Sequence, residues 1–149
     1  MEFIIPKSLK LEHEELHGEL VRATKVGGKI GDSAKKVAKI LHPHFMKEEE
    51  YAMPPLGLLS LLAQSKNTPE MAGAITMTDR LKEDLPEMLK EHKAIVAALK
   101  DLIDAAKKEN KMEYAHFADK LVLHAQNEEE VLYPAAILVG EYLKLKLIK

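Results

Sequence analysis

Seven side chains of metal-ligating type sit at helical intervals along this chain: His13, His17, His44, Glu48, His92, His124 and Glu128. Imidazole offers a neutral nitrogen and carboxylate a charged oxygen, a donor mixture that suits divalent ions of the first transition row. The pairs His13/His17, His44/Glu48 and His124/Glu128 are each four residues apart, so on a helix both members project from nearly the same face. Cysteine is absent, which excludes thiolate metal sites, iron–sulfur clusters, disulfides and cysteine nucleophiles.

The elements that would position these residues are helices. Gly27-Gly28, Pro54-Pro55, the stretch 65–69 and Asn110 divide the chain into long runs. These cover residues 8–26 with Ser8 as N-cap, 32–50 with Asp32 or Ser33 as N-cap, 68–108 opened by Thr68-Pro69 and kinked near Pro86, and 112–133. An apolar stretch at 56–64 reads as a short lid helix. Pro134 begins a last helix reaching Ile148, whose Leu and Lys residues give a packed edge and a solvated outer face. Strand patterns are missing, so the expected fold is all-α: an up-down-up-down four-helix bundle with a short extra helix after the second helix and a C-terminal helical extension, forming one domain over 1–149.

Each long run carries an apolar seam, and each seam is broken at mid-height. The third run steps through Leu81, Leu85, Met88, Ile95, Leu99, Leu102 and Ala106, with His92 filling its gap. The fourth uses Tyr114, Phe117, Leu121, Val131 and Ala135, interrupted by His124 and Glu128. The first uses Leu9, Leu16, Leu20 and Thr24, interrupted by His13 and His17, and in the second Val37 and Leu41 lead to His44 and Glu48. A bundle buries such seams, so these groups should face one another inside it. Unpaired buried carboxylates cost several kcal/mol each, and no Lys or Arg shares the seams near Glu48 or Glu128. A pair of divalent cations would supply the missing positive charge. One core histidine satisfied by hydrogen bonds would be ordinary; four seams broken at one height are not.

The chain also repeats itself. An offset of 79 residues carries Glu12-His13 onto Glu91-His92, and an offset of 80 carries His44, Glu48, Glu49, Glu50 and Pro54 onto His124, Glu128, Glu129, Glu130 and Pro134. Two copies of one helical hairpin packed together make a site of approximate twofold symmetry, as a two-metal centre requires. His17 has only Val96 as its counterpart, which leaves open a place beside the ligands or in a pocket. His42 and His116 fall off their seams and read as surface residues. Glu49, Glu50, Glu129 and Glu130 read as solvated faces, one of which could hydrogen-bond a ligand histidine.

Through Glu12-His13, His44-Phe-Met-Lys-Glu48-Glu49, Glu91-His92 and His124-Ala-Gln-Asn-Glu128-Glu129, with Tyr133-Pro134 following, nearly the whole chain resembles the hemerythrin-like (HHE cation-binding) domain family. The resemblance implies ligands at His13, His44, Glu48, His92, His124 and Glu128. It departs from blood-type hemerythrins, whose extra turn-spaced histidine is on the third helix; here the turn-spaced pair, His13 and His17, is on the first. Carried over, His13, His17 and His44 would hold one iron and His92 and His124 the other, with Glu48, Glu128 and a solvent-derived oxygen as bridges. One open position then remains, where the family's pattern places dioxygen, and Met88, Ile95 and Leu121 would keep bulk water from it.

Seven protein ligands with bridging carboxylates suit iron, or manganese, better than zinc, which favours four-coordination, although zinc could substitute. The leading expectation is a non-enzymatic module that binds or senses dioxygen or another small diatomic ligand, since no acid–base dyad is left over for turnover. Iron handling, a nitric-oxide or oxidative-stress role, a di-iron oxidase or peroxidase, and a purely structural bundle with buried metal-free histidines are the alternatives; the missing cysteine argues against family members with a thiol-bearing extension. A net charge of −2 on 149 residues, 31% of them charged, gives no basic footprint for nucleic acid or anionic membrane. The apolar run before Pro6 is too short for a signal peptide and no uncharged apolar window approaches a membrane span, so a soluble cytoplasmic protein is expected, with any sensory output left to a separate partner.

Overall fold

The computed structural model describes residues 1–148, and the observed elements are helical throughout. Helix α1 spans Lys7–Thr24 and α2 spans Gly28–Lys47, running on through a π turn at Glu48–Ala52. A 3-10 turn at Pro54–Leu58 and the short α3, Leu59–Ala63, lead through a second 3-10 turn at Pro69–Ala72 into the long α4, Gly73–Lys108. Helix α5, Met112–Asn127, also ends in a π turn, Glu128–Leu132, before α6, Tyr133–Leu147. No helix among the described residues is long and apolar enough to cross a membrane.

Two helix starts differ from the expectation. Pro6, not Ser8, precedes the first turn of α1, and α2 begins after Gly27, ahead of Asp32 and Ser33. The reversal between α1 and α2 is built on glycine: Gly28 takes φ +71°, and a Cβ on Gly31 would collide with the Val26 carbonyl. The two helix ends thereby approach more closely than side chains at these positions would permit. Asn110, at φ +55°, closes the α4–α5 reversal in the left-handed region that asparagine tolerates.

Short reversals make neighbouring helices antiparallel. Helix α2 packs on α1 and α4, and α5 packs on α4 and α1, so the four run around a square. Leu16, Leu20, Ile30, Val37, Leu41, Ile95, Leu99, Leu102, Phe117 and Leu121 fill one end of it. Tyr51, Leu56, Leu81, Met88, Tyr133 and Ala136 form a second apolar cluster. Helix α6 lies along the N-terminal half of α4, which with its 36 residues is long enough to serve both neighbours. Leu58 and Met71 pack there against Val139 and Leu143, making the segment after α2 a cap.

The two π turns are the fold's second internal copy. Met53 N–H bonds to the Glu48 carbonyl at 2.8 Å, and Tyr133 N–H to that of Glu128, each five residues back instead of four. Pro54 and Pro134 come directly after. Proline has no N–H to give and its ring crowds the carbonyl four residues back, so widening the preceding turn relieves both problems. The extra residue rotates the helix beyond it: Val131, expected on the seam, is 53% exposed, and Tyr133 is buried in its place.

Candidate metal centre

His13, His44, Glu48, His92, His124 and Glu128 are the polar layer within the apolar core; each is at least 95% buried, with Glu48 at 0% exposure. His13 comes from α1, His44 and Glu48 from the end of α2, His92 from α4, and His124 and Glu128 from the end of α5. Nε2 of His13 lies 3.6 Å from both Glu48 Oε1 and Glu128 Oε2, and Nε2 of His44 lies 3.6 Å from Glu48 Oε1. Nε2 of His92 and of His124 each lie 3.2 Å from a Glu128 oxygen. Ligand atoms on one cation at bonds of about 2.0–2.2 Å, set at right angles, are about 3 Å apart. The spacing therefore already approximates a coordination sphere.

The ligand atoms form two groups that share Glu128. His44, Glu48, His92 and Glu128 make one, and His13, His124 and Glu128 the other, with the atoms of each within 4.8 Å of one another. This partition corrects the expected one, in which His44 sided with His13. The cause lies outside the layer. Nδ1–H of His44 donates to Glu91 of α4 at 2.8 Å, and Nδ1–H of His124 donates to Glu12 of α1. Each ring is thus turned across the junction between hairpins and away from its own hairpin partner.

Nδ1–H of His92 donates to Glu129 at 3.0 Å, while Glu49 stands 3.9 Å from Nδ1 of His13. Four carboxylates, themselves related by the internal repeat, stand behind four imidazoles. A carboxylate on Nδ1 fixes the tautomer, leaves the Nε2 lone pair facing inward and raises its basicity. Glu12 and Glu91 were visible only as members of the repeat; the signal for their role is that each immediately precedes a seam histidine in both copies.

His17 does not join the six. It is exposed, its ring centre 5.7 Å from that of His42, which is exposed too, as is His116. Four residues advance a helix by about 40° beyond a full turn, and the inward line from His13 runs through Leu16 and Leu20 instead. Tyr133 enters where no ligand was expected. Its hydroxyl donates to Glu48 Oε2 at 2.6 Å and lies 3.2 Å from Nε2 of both His44 and His92.

The electrostatics suit a cation. Burial, then the charge of Glu128, pushes Glu48 well above the usual carboxylate range. Burial acts on Glu128 as well, but Glu48 and the imidazoles of His124, His13 and His92 outweigh it and hold Glu128 well below that range. The environment thus drives Glu48 toward its neutral form and Glu128 toward its charged one. Nε2 of His44 and Nε2 of His92 stand 2.9 Å apart, closer than two lone pairs tolerate without positive charge between them. His13 Nδ1 and Nε2, Glu48 Oε1, His124 Nε2 and Glu128 Oε2 are buried without a hydrogen-bond partner. Such atoms cost about 1–3 kcal/mol each, and all but His13 Nδ1 are the inward ligand atoms. The residues present fit bound metal.

A family model described as "Hemerythrin HHE cation binding domain" matches residues 5–136 of the chain. No curated protein and no solved structure matches it.

Proposed function

Because the chain belongs to the hemerythrin HHE cation-binding family, we propose that its buried His/Glu layer holds two iron ions and binds dioxygen or another small diatomic ligand reversibly. One observation carries this reading: four imidazole Nε2 atoms and two carboxyls converge in an apolar core, most of them with no partner in the protein. In this reading His44, Glu48 and His92 would hold one ion and His13 and His124 the other, with Glu128 within reach of both. Bound iron would supply two adjacent one-electron couples and open positions for a diatomic ligand; manganese or zinc could occupy the same donors, zinc without redox chemistry.

The remaining residues have definable tasks. Glu12, Glu91 and Glu129 keep Nδ1 protonated and Nε2 available. Met88, Ile95 and Leu121, each no more than 1% exposed, keep bulk water out. Tyr133, whose phenol burial and Glu48 keep protonated, donates its O–H to Glu48 and so orients that carboxyl.

A second reading has its own support. With His17 outside, each ion of the proposed pair has two histidines, so both would be coordinatively open, which favours a di-iron oxidase or peroxidase over a carrier with one vacancy. Anaerobic reduction and then exposure to air separates the two. A visible band that vanishes on degassing and returns on re-exposure is expected for reversible binding; rapid oxidation with peroxide release would replace that reading with the oxidase. A chain grown with iron that retains no metal would end both.

A further inference from the structure

We propose that the groove between α1 and α2 is the port through which divalent cations reach the core, with His17 and His42 as its outer ligand pair. This rests on the metal-binding reading above. The groove has a volume of about 300 Å³, and His13 and Phe45 lie in its lining. His13 is 2% exposed, yet neither of its ring nitrogens has a partner, and Phe45 stacks on it with ring centres 4.0 Å apart. At the outer side stand the exposed His17 and His42 with ring centres 5.7 Å apart, beside Glu14 and Met46. At metal–nitrogen bonds of about 2 Å, two rings at that separation can share one cation through one nitrogen each. Two ligands bind weakly, which is what a transfer station needs.

The internal repeat supplies a control within the same molecule. The corresponding groove between α4 and α5 has nearly the same volume, 320 Å³, and His92 in its lining. There Val96 replaces His17, Val122 replaces His42, Gln126 replaces Met46 and Lys93 replaces Glu14, with Lys100 added. Nδ1 of His92 is hydrogen-bonded to Glu129, and its Nε2 faces His44 Nε2 at 2.9 Å. Shape is duplicated but ligand chemistry is not: beyond His13, one groove presents two imidazoles and the carboxylates of Glu14 and Glu49 to a cation, whereas beyond His92 the other presents two valines and two ammonium groups beside the single carboxylate of Glu129. Like charge at the second groove opposes cation approach, while the first concentrates cations.

The test uses the full chain stripped of metal and mixed with cobalt(II), whose visible absorption reports entry into the core. In His17→Gln/His42→Gln, which removes both outer nitrogen ligands, the loading rate should fall below the native rate, with the same number of ions bound per chain at saturation. His116→Gln, an exposed histidine elsewhere, should load at the native rate. Unchanged loading in the double variant would overturn the port. Fewer ions at saturation would overturn it as well, since His17 or His42 would then be a resident ligand. If the native chain takes up no cobalt, the metal-binding reading itself fails, an outcome distinct from both. Giving the opposite groove the same chemistry, by Val96→His/Val122→His with Lys93→Glu, should accelerate loading; no acceleration counts against the port.

Discussion

Glu91 of α4 accepts a hydrogen bond from His44 Nδ1 of α2 at 2.8 Å and, through its other oxygen, one from Lys47 at 2.8 Å. It ties the two hairpins together immediately behind a candidate ligand. Carboxylates in this position tune metal affinity by about 10–100-fold. Glu91→Ala should therefore lower cation affinity by that factor in chelator competition while leaving the ion count at saturation unchanged. Equal affinities would show that the carboxylate only braces the hairpins.

Removal of a ligand should be more severe. Metal analysis of protein grown with iron is expected to give about two ions per native chain and loss of most of them in His124→Ala and in Glu48→Ala, because coordination energy and folding of the site are linked. Retention of both ions in either variant would contradict this ligand assignment.

The metal-free protein should lose stability as pH rises from about 5 to about 8. Glu48 is raised above its ordinary 4.5 by burial and by Glu128. Its contribution is complete below 4.5 and is lost as pH climbs through the raised value. His92 and His124 act the same way around 6.5: burial pulls them down, but hydrogen bonds to Glu128 leave them raised. His44, lowered by burial, opposes them, and Glu128 loses its contribution only as pH falls through its depressed value. Melting temperatures measured across that window should decline, and Glu48→Gln should flatten the slope. A native melting temperature that climbs with pH would refute the upward shift of Glu48.

Tyr133→Phe removes the donor to Glu48 Oε2 inside the core. The expected loss is about 1–3 kcal/mol, the usual cost of leaving a buried acceptor unpaired, read from urea unfolding of the metal-free chain. A stability equal to the native value would mean that Glu48 finds another partner.

Most of the polar layer is legible in the sequence because helical periodicity is a local property. The seams place His13, His44, Glu48, His92, His124 and Glu128 on inward faces, and the residues of the repeat, His44 to Pro54 against His124 to Pro134, imply two hairpins facing each other. The apolar segment after the second helix is expected to cap the core, and Leu58 does so. Helix starts are less legible: Ser8 and Asp32 carry capping side chains, but the packing around Gly28 and Gly31 decides where α2 begins.

The amino-acid order alone determined that this chain is a duplicated helical hairpin carrying imidazoles and carboxylates on its buried faces, since each of those statements depends on spacing along one helix. Only the tertiary structure decided that His44 faces His92 and His13 faces His124, that His17 pairs with His42 at the surface, and that Tyr133 displaces Val131 from the core. The reason is geometric. Spacing reports a residue's angle about its own axis, whereas partners across a bundle depend on how outer carboxylates turn each ring. One added residue in a π turn shifts every later side chain by about 100°.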